Sequence, residues 1–181
     1  MISEVLNDAS ISLNDISCVA VCGGPGSYTG LRIALSTAKA ICYVLDKPLI
    51  LDNRIELLAT QSFNNSSGLP DVYLVMLYAR EKEYFIGVYD TIFNCITQPK
   101  HVLENNLIEL IKPEWNLCIV SDVAEEKIKE KIKNKILLNP NINIDINHWA
   151  THAFKKYKQN LTTNISDAEP IYLKETYIIS A

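Results

Sequence analysis

The sequence has no paired cysteines, no long apolar run and no excess of basic residues, and each absence removes a class of protein. Its five cysteines are an odd number without a Cys-x-x-Cys pair, which is typical of small core residues in a reducing compartment. No apolar run is long enough to cross a bilayer. A net charge of −4 argues against a domain that binds nucleic acid on its own. We therefore expect a cytoplasmic protein.

Glycine is scarce as well, and most of it falls in one stretch, residues 23–32, Gly-Gly-Pro-Gly-Ser-Tyr-Thr-Gly-Leu-Arg. An apolar run (16–22) precedes this stretch and an amphipathic run (31–45) follows it. Strand, glycine turn and helix in this order present backbone N–H groups to an anion or to another backbone. The spacing lacks the Walker A lysine, the Rossmann Gly-x-Gly-x-x-Gly and the Gly-x-Ser-x-Gly of a nucleophile elbow. A tight turn, a nucleotide loop and a protein-binding surface all remain open.

The residues around this turn predict one β-loop-α-β unit over residues 16–51. Ser27 or Thr29 can cap the helix that follows the glycines. One face of that helix is apolar, and Asp46-Lys47-Pro48 ends it before a second buried strand at 49–51. The residues of the apolar face are Leu31, Leu35, Ala38, Cys42 and Leu45.

The remainder of the chain also has an α/β pattern. Residues 64–68, Asn-Asn-Ser-Ser-Gly, give the strongest loop signal and a predicted linker. A hairpin is expected after this linker, because two strand-like runs flank residues 79–82. The other predicted strands are 95–97 and 117–120, and the other predicted helices are 3–9, 54–61, 103–111, 123–133 and 146–157. The richest basic run, 127–135, is diluted by glutamates and is typical of a solvated helix face.

No catalytic constellation can be assembled from the spacing of the polar residues. His148 and His152 have the i, i+4 spacing of two metal ligands, but Trp149 stands where a zincin has its glutamate. A metallopeptidase is therefore only a third hypothesis. Arg32 and Arg80 lie beside turns, where they could face a cleft or form surface ion pairs. The carboxylates are scattered, without the pairing that acid–base catalysis needs: Asp52, Asp71, Asp90, Asp122, Asp145 and Asp167.

A family resemblance follows from these residues. Residues 24–33, Gly-Pro-Gly-Ser-Tyr-Thr-Gly-Leu-Arg-Ile, with Ser-Thr-Ala-Lys-Ala at 36–40, resemble the signature of the bacterial TsaB (YeaZ) family, whose older label is glycoprotease, M22-like. Three later segments resemble landmarks of the same family in the same order: 47–49, 79–84 and 169–174. The resemblance runs over essentially the whole chain.

The resemblance implies an α/β fold of the ASKHA type, with two RNase H-like lobes. We expect an incomplete N-terminal lobe over residues 1–63 and a C-terminal lobe over 64–181, with the last segment returning to the first lobe. It implies a non-catalytic scaffold that pairs with TsaD and the ATPase TsaE to install threonylcarbamoyl on the adenosine beside the tRNA anticodon, and that meets tRNA only within this complex. It implies no catalytic residue, cofactor or metal in this subunit, and self-association through the surface that binds TsaD. The expected interface residues are Gly24, Pro25, Gly26, Ser27, Tyr28, Thr29, Gly30, Arg32, Leu35 and Lys39.

The sequence departs from the family pattern at three points. The chain opens at a segment that resembles the helix just before the glycine loop, so the first strands of the N-terminal lobe, with their acidic nucleotide site, are expected to be missing. Tyr78 stands where the family often has an aspartate, and Ala34 replaces a helix glycine. An ASKHA-type ATP-binding phosphotransferase or ATPase, in which the glycine loop holds a phosphate, is the alternative function.

Overall fold

A computed structural model of the protein describes residues 2–65 and 70–174, without the side chains of residues 64 and 65. Contacts divide the chain into two compact units: Met1–Asn53 with Trp149–Ile171, and Arg54–His148 with Tyr172–Ala181. The helices and strands are, in chain order, α1 (Ile2–Asp8), β1 (Val19–Gly24), α2 (Tyr28–Leu45), β2 (Leu49–Asn53), α3 (Arg54–Asn65), β3 (Val72–Arg80), β4 (Glu83–Asp90), β5 (Cys95–Leu103), α4 (Glu104–Leu107), β6 (Leu117–Ser121), α5 (Glu125–Lys131), β7 (Ile136–Asn139) and α6 (Ile146–Lys158).

The first unit is built on two parallel strands and a long helix. Strand β1 pairs with β2, with Val19 opposite Leu49 and Gly24 opposite Asn53, so the carboxyl ends of both strands lie at one edge. Helix α2 buries one face, and a single antiparallel bridge joins Leu49 to Thr163. The predicted β-loop-α-β unit is confirmed, and three of its five predicted apolar positions are buried: Leu35, Ala38 and Cys42.

The second unit is a mixed five-stranded sheet in the order β5-β4-β3-β6-β7. The first three strands in this order are antiparallel, which confirms the predicted hairpin, and β3, β6 and β7 run parallel. Apolar side chains alternate along β3, so that each face of the sheet has its own core. Val72, Leu74 and Met76 lie in one of these cores, and Tyr73, Val75 and Leu77 lie in the other.

The largest differences between the predicted and the observed elements lie in the second unit. Helix α3 continues to Asn65, so the first two residues of the predicted 64–68 loop are helical and the other three lie outside the described residues. Strand β5 extends to Leu103, and the predicted 103–111 helix is only the short α4 followed by a 3₁₀ turn (Ile108–Leu110). Strand β7 was not predicted, because four residues carry too little periodicity to identify a strand.

The division of the chain after residue 63 stays a prediction, although helix α3 belongs to the second compact unit. Residues 169–174, the last of the segments that resemble family landmarks, lie within the described part of the chain. Among the described helices, none has both the length and the apolar character needed to span a bilayer.

Candidate functional site

The glycine loop connects the carboxyl end of β1 to the first turn of α2. Ser27 is the N-cap of α2, where its Oγ accepts a hydrogen bond from the Gly30 N–H at 3.4 Å. The carbonyl of Ser27 also accepts from the Leu31 N–H at 2.9 Å, which begins the helical ladder. Of the two capping residues that the sequence allows, the structure uses Ser27.

Two of the four glycines in this loop are required by close packing. A Cβ atom on Gly23 would lie 2.8 Å from Leu51 Cδ1 and 3.1 Å from Ile171 Cγ1. Gly24 has a φ of +119°, and its Cβ would lie 2.8 Å from Leu31 Cδ1. The Ile171 N–H donates to the Gly23 carbonyl at 2.8 Å, which fixes the C-terminal segment against the loop. These glycines therefore admit a neighbouring chain segment of the same unit.

The predicted interface residues separate into buried and exposed groups. Gly24, Pro25 and Leu35 are buried, and Leu35 belongs to the core of the first unit. Lys39 is half-buried, and its Nζ donates to the Ala168 carbonyl at 3.0 Å. Arg32 packs over the Tyr28 ring, with its guanidinium carbon 4.2 Å from the ring centroid. The exposed members are Gly26, Ser27, Tyr28, Thr29, Gly30 and Arg32.

Helix α2 also has an exposed face with three large apolar residues that were not predicted to be exposed. Ile33, Tyr43 and Val44 are 63%, 80% and 78% exposed. Smaller exposed residues lie between them at helical spacing, and we call the whole set the outer face of α2: Ile33, Ser36, Thr37, Ala40, Tyr43 and Val44. The signal was present in the sequence as a second apolar stripe, opposite the stripe that packs on the sheet.

A buried carboxylate lies at the carboxyl end of β2. Asp52 is 1% exposed, and three donors from α6 converge on it. Its Oδ2 accepts from Trp149 Nε1 at 2.7 Å, and its Oδ1 accepts from Lys156 Nζ at 2.6 Å. His152 Nε2 lies 3.6 Å from the same Oδ1. Since Cys22 of β1 is opposite Asp52, this cluster is near the edge from which the glycine loop emerges.

Two opposing effects set the pKa of Asp52. Burial alone would raise this pKa, but the nearby His152 side chain, the hydrogen bonds from Lys156 and Trp149, and the positive charge of Lys156 outweigh burial and lower it to about 2. Asp52 is therefore ionised at neutral pH, and its oxygens are already occupied by donors. Its arrangement is that of an internal counter-ion that fastens α6 to β2.

The two histidines of the i, i+4 pair have different partners. His148 Nε2 lies 2.9 Å from the Thr60 hydroxyl in the second unit, whereas His152 faces Asp52 in the first. Across residues 2–65 and 70–174, no group of three or more histidine, cysteine or acidic side chains is arranged to hold a metal ion. The spacing of the two histidines therefore does not translate into a shared site.

A second charged cluster surrounds Glu83 at the start of β4. Its Oε1 accepts from Arg80 Nε at 2.7 Å, and its Oε2 pairs with Lys174 and lies 2.7 Å from His101 Nε2. Hydrogen bonds from Lys174, Arg80 and His101 lower the pKa of Glu83 to about 2. Arg80 thus forms an ion pair, which was one of the two roles expected for it.

An open groove of about 380 Å³ lies in the second unit at the carboxyl ends of β3 and β6. Tyr78 donates its backbone N–H to Asp122 Oδ1 at 2.7 Å. Tyr84 donates its hydroxyl to Glu104, which also pairs with Lys131 at 3.2 Å. Three lysines and four carboxylates line the groove, so neither sign of charge dominates it.

Sequence comparisons place this chain beside proteins of tRNA modification. The sequence model of the family described as TsaD, tRNA N6-adenosine threonylcarbamoyltransferase, matches residues 1–110. The tRNA threonylcarbamoyladenosine biosynthesis protein TsaB of Bacillus subtilis is 27% identical over 128 residues, which are 70% of this chain and 49% of that protein. The TsaB of Buchnera aphidicola subsp. Acyrthosiphon pisum is 29% identical over 132 residues, 69% of this chain and 58% of that one. The chain thus spans roughly half the length of these relatives.

Solved structures show the same fold. YeaZ from Pseudomonas aeruginosa matches with a TM-score of 0.76 at 17% identity, over 96% of this chain and 82% of that one. A crystal structure described as an uncharacterized protein similar to peptidase YEAZ, from the same organism, matches with a TM-score of 0.77 at 17% identity, over 96% and 81% of the two chains. The mixed α/β fold of this chain is therefore that of the YeaZ structures.

Proposed function

The chain belongs to the TsaD/TsaB (YeaZ) glycoprotease family of tRNA threonylcarbamoyladenosine biosynthesis, and we propose that it is a non-catalytic subunit of that machinery. In this proposal it pairs with a TsaD-like catalytic subunit and acts together with a TsaE-like ATPase. The complex transfers threonylcarbamoyl to the adenosine beside the tRNA anticodon. The two compact units are then lobes of an ASKHA fold, which the strand order of the second unit supports.

The outer face of α2 is the observation that carries the proposal. A helix that exposes Ile33, Tyr43 and Val44 leaves apolar area in water that a second helix could cover. The small residues between them, Ser36 and Ala40, allow a partner backbone to approach closely. This combination of large apolar ends and a small centre is typical of helix–helix association, and we assign it to the TsaD-like partner.

Helix α2 is held firmly enough to present such a face. Its inner stripe is buried in the core of the first unit, and Lys39 ties its middle to the Ala168 carbonyl. Ser27 caps its first turn, and the Lys47 N–H donates to the Cys42 carbonyl at its end. A rigid helix loses little conformational entropy on docking, which favours binding through this surface.

The charged residues near the glycine loop support a structural role for it. Both carboxylate oxygens of Asp52 already accept hydrogen bonds from α6. Gly23 and Gly24 pack closely against Ile171. The side chains that could serve chemistry at this edge are thus engaged in holding the first unit together. This supports a subunit that contributes a surface and leaves the transfer reaction to its partner.

The proposal is tested by size-exclusion chromatography with light scattering on a mixture of the chain and the TsaD-like subunit of the same cell. We expect a heterodimer that Val44→Glu weakens at least about tenfold, because the new charge would be buried in the interface in place of an apolar side chain. Ile92→Glu is the matched control, since Ile92 is also 78% exposed but lies in the second unit.

Self-association is a competing outcome that the same experiment resolves. If the chain forms a homodimer through the outer face of α2, Val44→Glu should also abolish the homodimer, and the TsaD-like subunit should displace it. The scaffold role is wrong if no heterodimer forms, or if Val44→Glu and Ile92→Glu weaken it equally.

A further inference from the structure

One face of helix α6 contacts Asp52, and the other is exposed to solvent. Its inner face holds Trp149, His152 and Lys156, which converge on Asp52 and fix the helix to β2. Three residues on the other side of the helix, Phe154, Lys155 and Lys158, form what we call the outer face of α6. All three are exposed, Phe154 by 57%. The inner contacts hold the helix while the outer face stays in solvent.

Within the described part of the chain, the lysines of the outer face lack a neighbouring carboxylate. Neither Lys155 nor Lys158 has a carboxylate within 4.0 Å among residues 2–65 and 70–174. No aspartate or glutamate occurs in the sequence between Asp145 and Asp167. In a chain with net charge −4, this is a local basic surface.

The lysine-rich helix α5 gives the contrasting case within the same chain. Lys129 Nζ lies 2.5 Å from Glu125 Oε1, and Lys131 Nζ lies 3.2 Å from Glu104 Oε1. Lys129 and Lys131 of α5 are therefore each paired with a glutamate, in keeping with the glutamates that dilute the basic run 127–135. Lysines at a helix C-terminus also stabilise the helix dipole, but that role does not call for an exposed aromatic ring beside them.

The aromatic ring gives the outer face of α6 its second recognition element. Lys158 Nζ lies 5.4 Å from the centroid of the Phe154 ring, and Tyr157 lies beside it with centroids 6.4 Å apart. Lysines that bind phosphates, next to an exposed ring on which an unpaired base can stack, are the elements by which proteins bind single-stranded RNA. An anionic membrane is a poorer match, because the larger apolar side chain of α6, Trp149, faces inward.

We propose that the outer face of α6 binds RNA, with Lys155 and Lys158 on backbone phosphates and Phe154 against an unstacked base of a loop. The choice of RNA rests on the proposed function, since tRNA is the substrate named for this family. The surface gives the subunit its own contact with the substrate, separate from the outer face of α2 that we assign to protein pairing.

The test is fluorescence anisotropy of the full chain with a fluorescein-labelled RNA stem-loop, titrated over a series of salt concentrations. The variant is Lys155→Gln/Lys158→Gln, and the control is Lys129→Gln/Lys133→Gln, which removes the same charge from the α5 region. Loss of two phosphate contacts should make the log–log salt slope shallower by about 1.4 to 1.8. When the salt concentration rises from about 50 to about 200 mM, the fold-loss of RNA affinity should therefore be about tenfold smaller for the variant than for the wild type. The control should keep the wild-type slope.

Phe154→Leu separates base stacking from charge. It should weaken binding of the stem-loop while leaving binding of a blunt RNA duplex unchanged, because a duplex offers no unstacked base. The proposal is overturned if the two double variants have equal slopes, if the wild type does not bind the stem-loop, or if the chain binds phosphatidylserine vesicles in preference to RNA.

The same variants distinguish this proposal from the pairing proposal. Lys155→Gln/Lys158→Gln should pair normally with the TsaD-like subunit, because it leaves the outer face of α2 intact. If the chain pairs with the TsaD-like subunit but the variant and the wild type have equal salt slopes for RNA binding, only the RNA contact is refuted. If the variant changes the salt slope of RNA binding but the chain does not pair with the TsaD-like subunit, only the scaffold role is refuted.

Discussion

Replacing Asp52 with asparagine should destabilise the first unit in a pH-dependent way. The substitution keeps the size of the side chain and an oxygen that can accept from Trp149, but it removes the negative charge. Lys156, which is only partly exposed, then loses its counter-ion. The expected loss is therefore mainly electrostatic.

The lowered pKa of Asp52 sets the magnitude of this loss. A fall from 3.8 to about 2 corresponds to about 2 kcal/mol at about 1.36 kcal/mol per pKa unit. Because the folded-state pKa is depressed, this contribution is complete above the unfolded-state pKa of 3.8 and disappears as the pH falls through 2. At about pH 3, about half of this stabilisation, about 1 kcal/mol, therefore remains.

The assay is urea unfolding at pH 7 and pH 3, followed by the fluorescence of Trp149 in a Trp115→Phe background. Trp149 belongs to the first unit and Trp115 to the second, so the signal reports the unit that Asp52 stabilises. Glu83 also has a pKa of about 2, but it is present in both proteins and cancels in the comparison. Asp167→Asn, an exposed aspartate of the same unit, is the control and should change stability by less than about 0.5 kcal/mol.

Two results would refute this reasoning. If Asp52→Asn costs the same free energy at pH 3 as at pH 7, its effect comes from packing and not from charge. If it costs nothing at pH 7, the three donors on α6 do not stabilise the carboxylate, and the fastening of α6 to β2 must have another cause.

The sequence predicted those parts of the fold whose signal is local. The glycine turn, the apolar stripe of α2 and the two runs of the β3–β4 hairpin each lie within a short window. Strand β5 was underestimated because Gln98-Pro99-Lys100 resembles a loop, although an edge strand accepts both proline and lysine. Strand β7 exists because Ile136 pairs opposite Leu117 of β6, and such a long-range partner leaves no mark on a short segment.

The candidate sites were less predictable for the same reason. Asp52 lies 97 residues from Trp149 and 104 from Lys156, so their spacing gives no indication that they meet. Gly23 packs against Ile171, a residue far away in the sequence, so the sequence alone does not explain this glycine. Apolar residues on both sides of α2 were visible in the sequence, but only the position of the sheet decides which side is exposed. The motif thus predicted the family, while tertiary packing was needed to assign roles to its residues.

Two further pairs of variants test the packing on which these assignments depend, each by urea unfolding. Tyr89→Phe should stabilise the second unit by about 1 kcal/mol, because the buried Tyr89 hydroxyl lacks a hydrogen-bond partner among the described residues. Tyr84→Phe removes a hydroxyl that donates to the Glu104 carboxylate and should cost about 1 kcal/mol. If Tyr89→Phe and Tyr84→Phe change stability equally, the hydrogen-bond argument is wrong. Gly24→Ala should cost about 2 kcal/mol or more, because φ is +119° there and the new methyl group would meet Leu31. Gly26→Ala, with its nearest neighbour atom at 3.8 Å, should change stability by less than about 0.5 kcal/mol. If both alanine variants are tolerated, close packing does not explain the glycines, and a ligand that approaches the loop backbone becomes the better explanation.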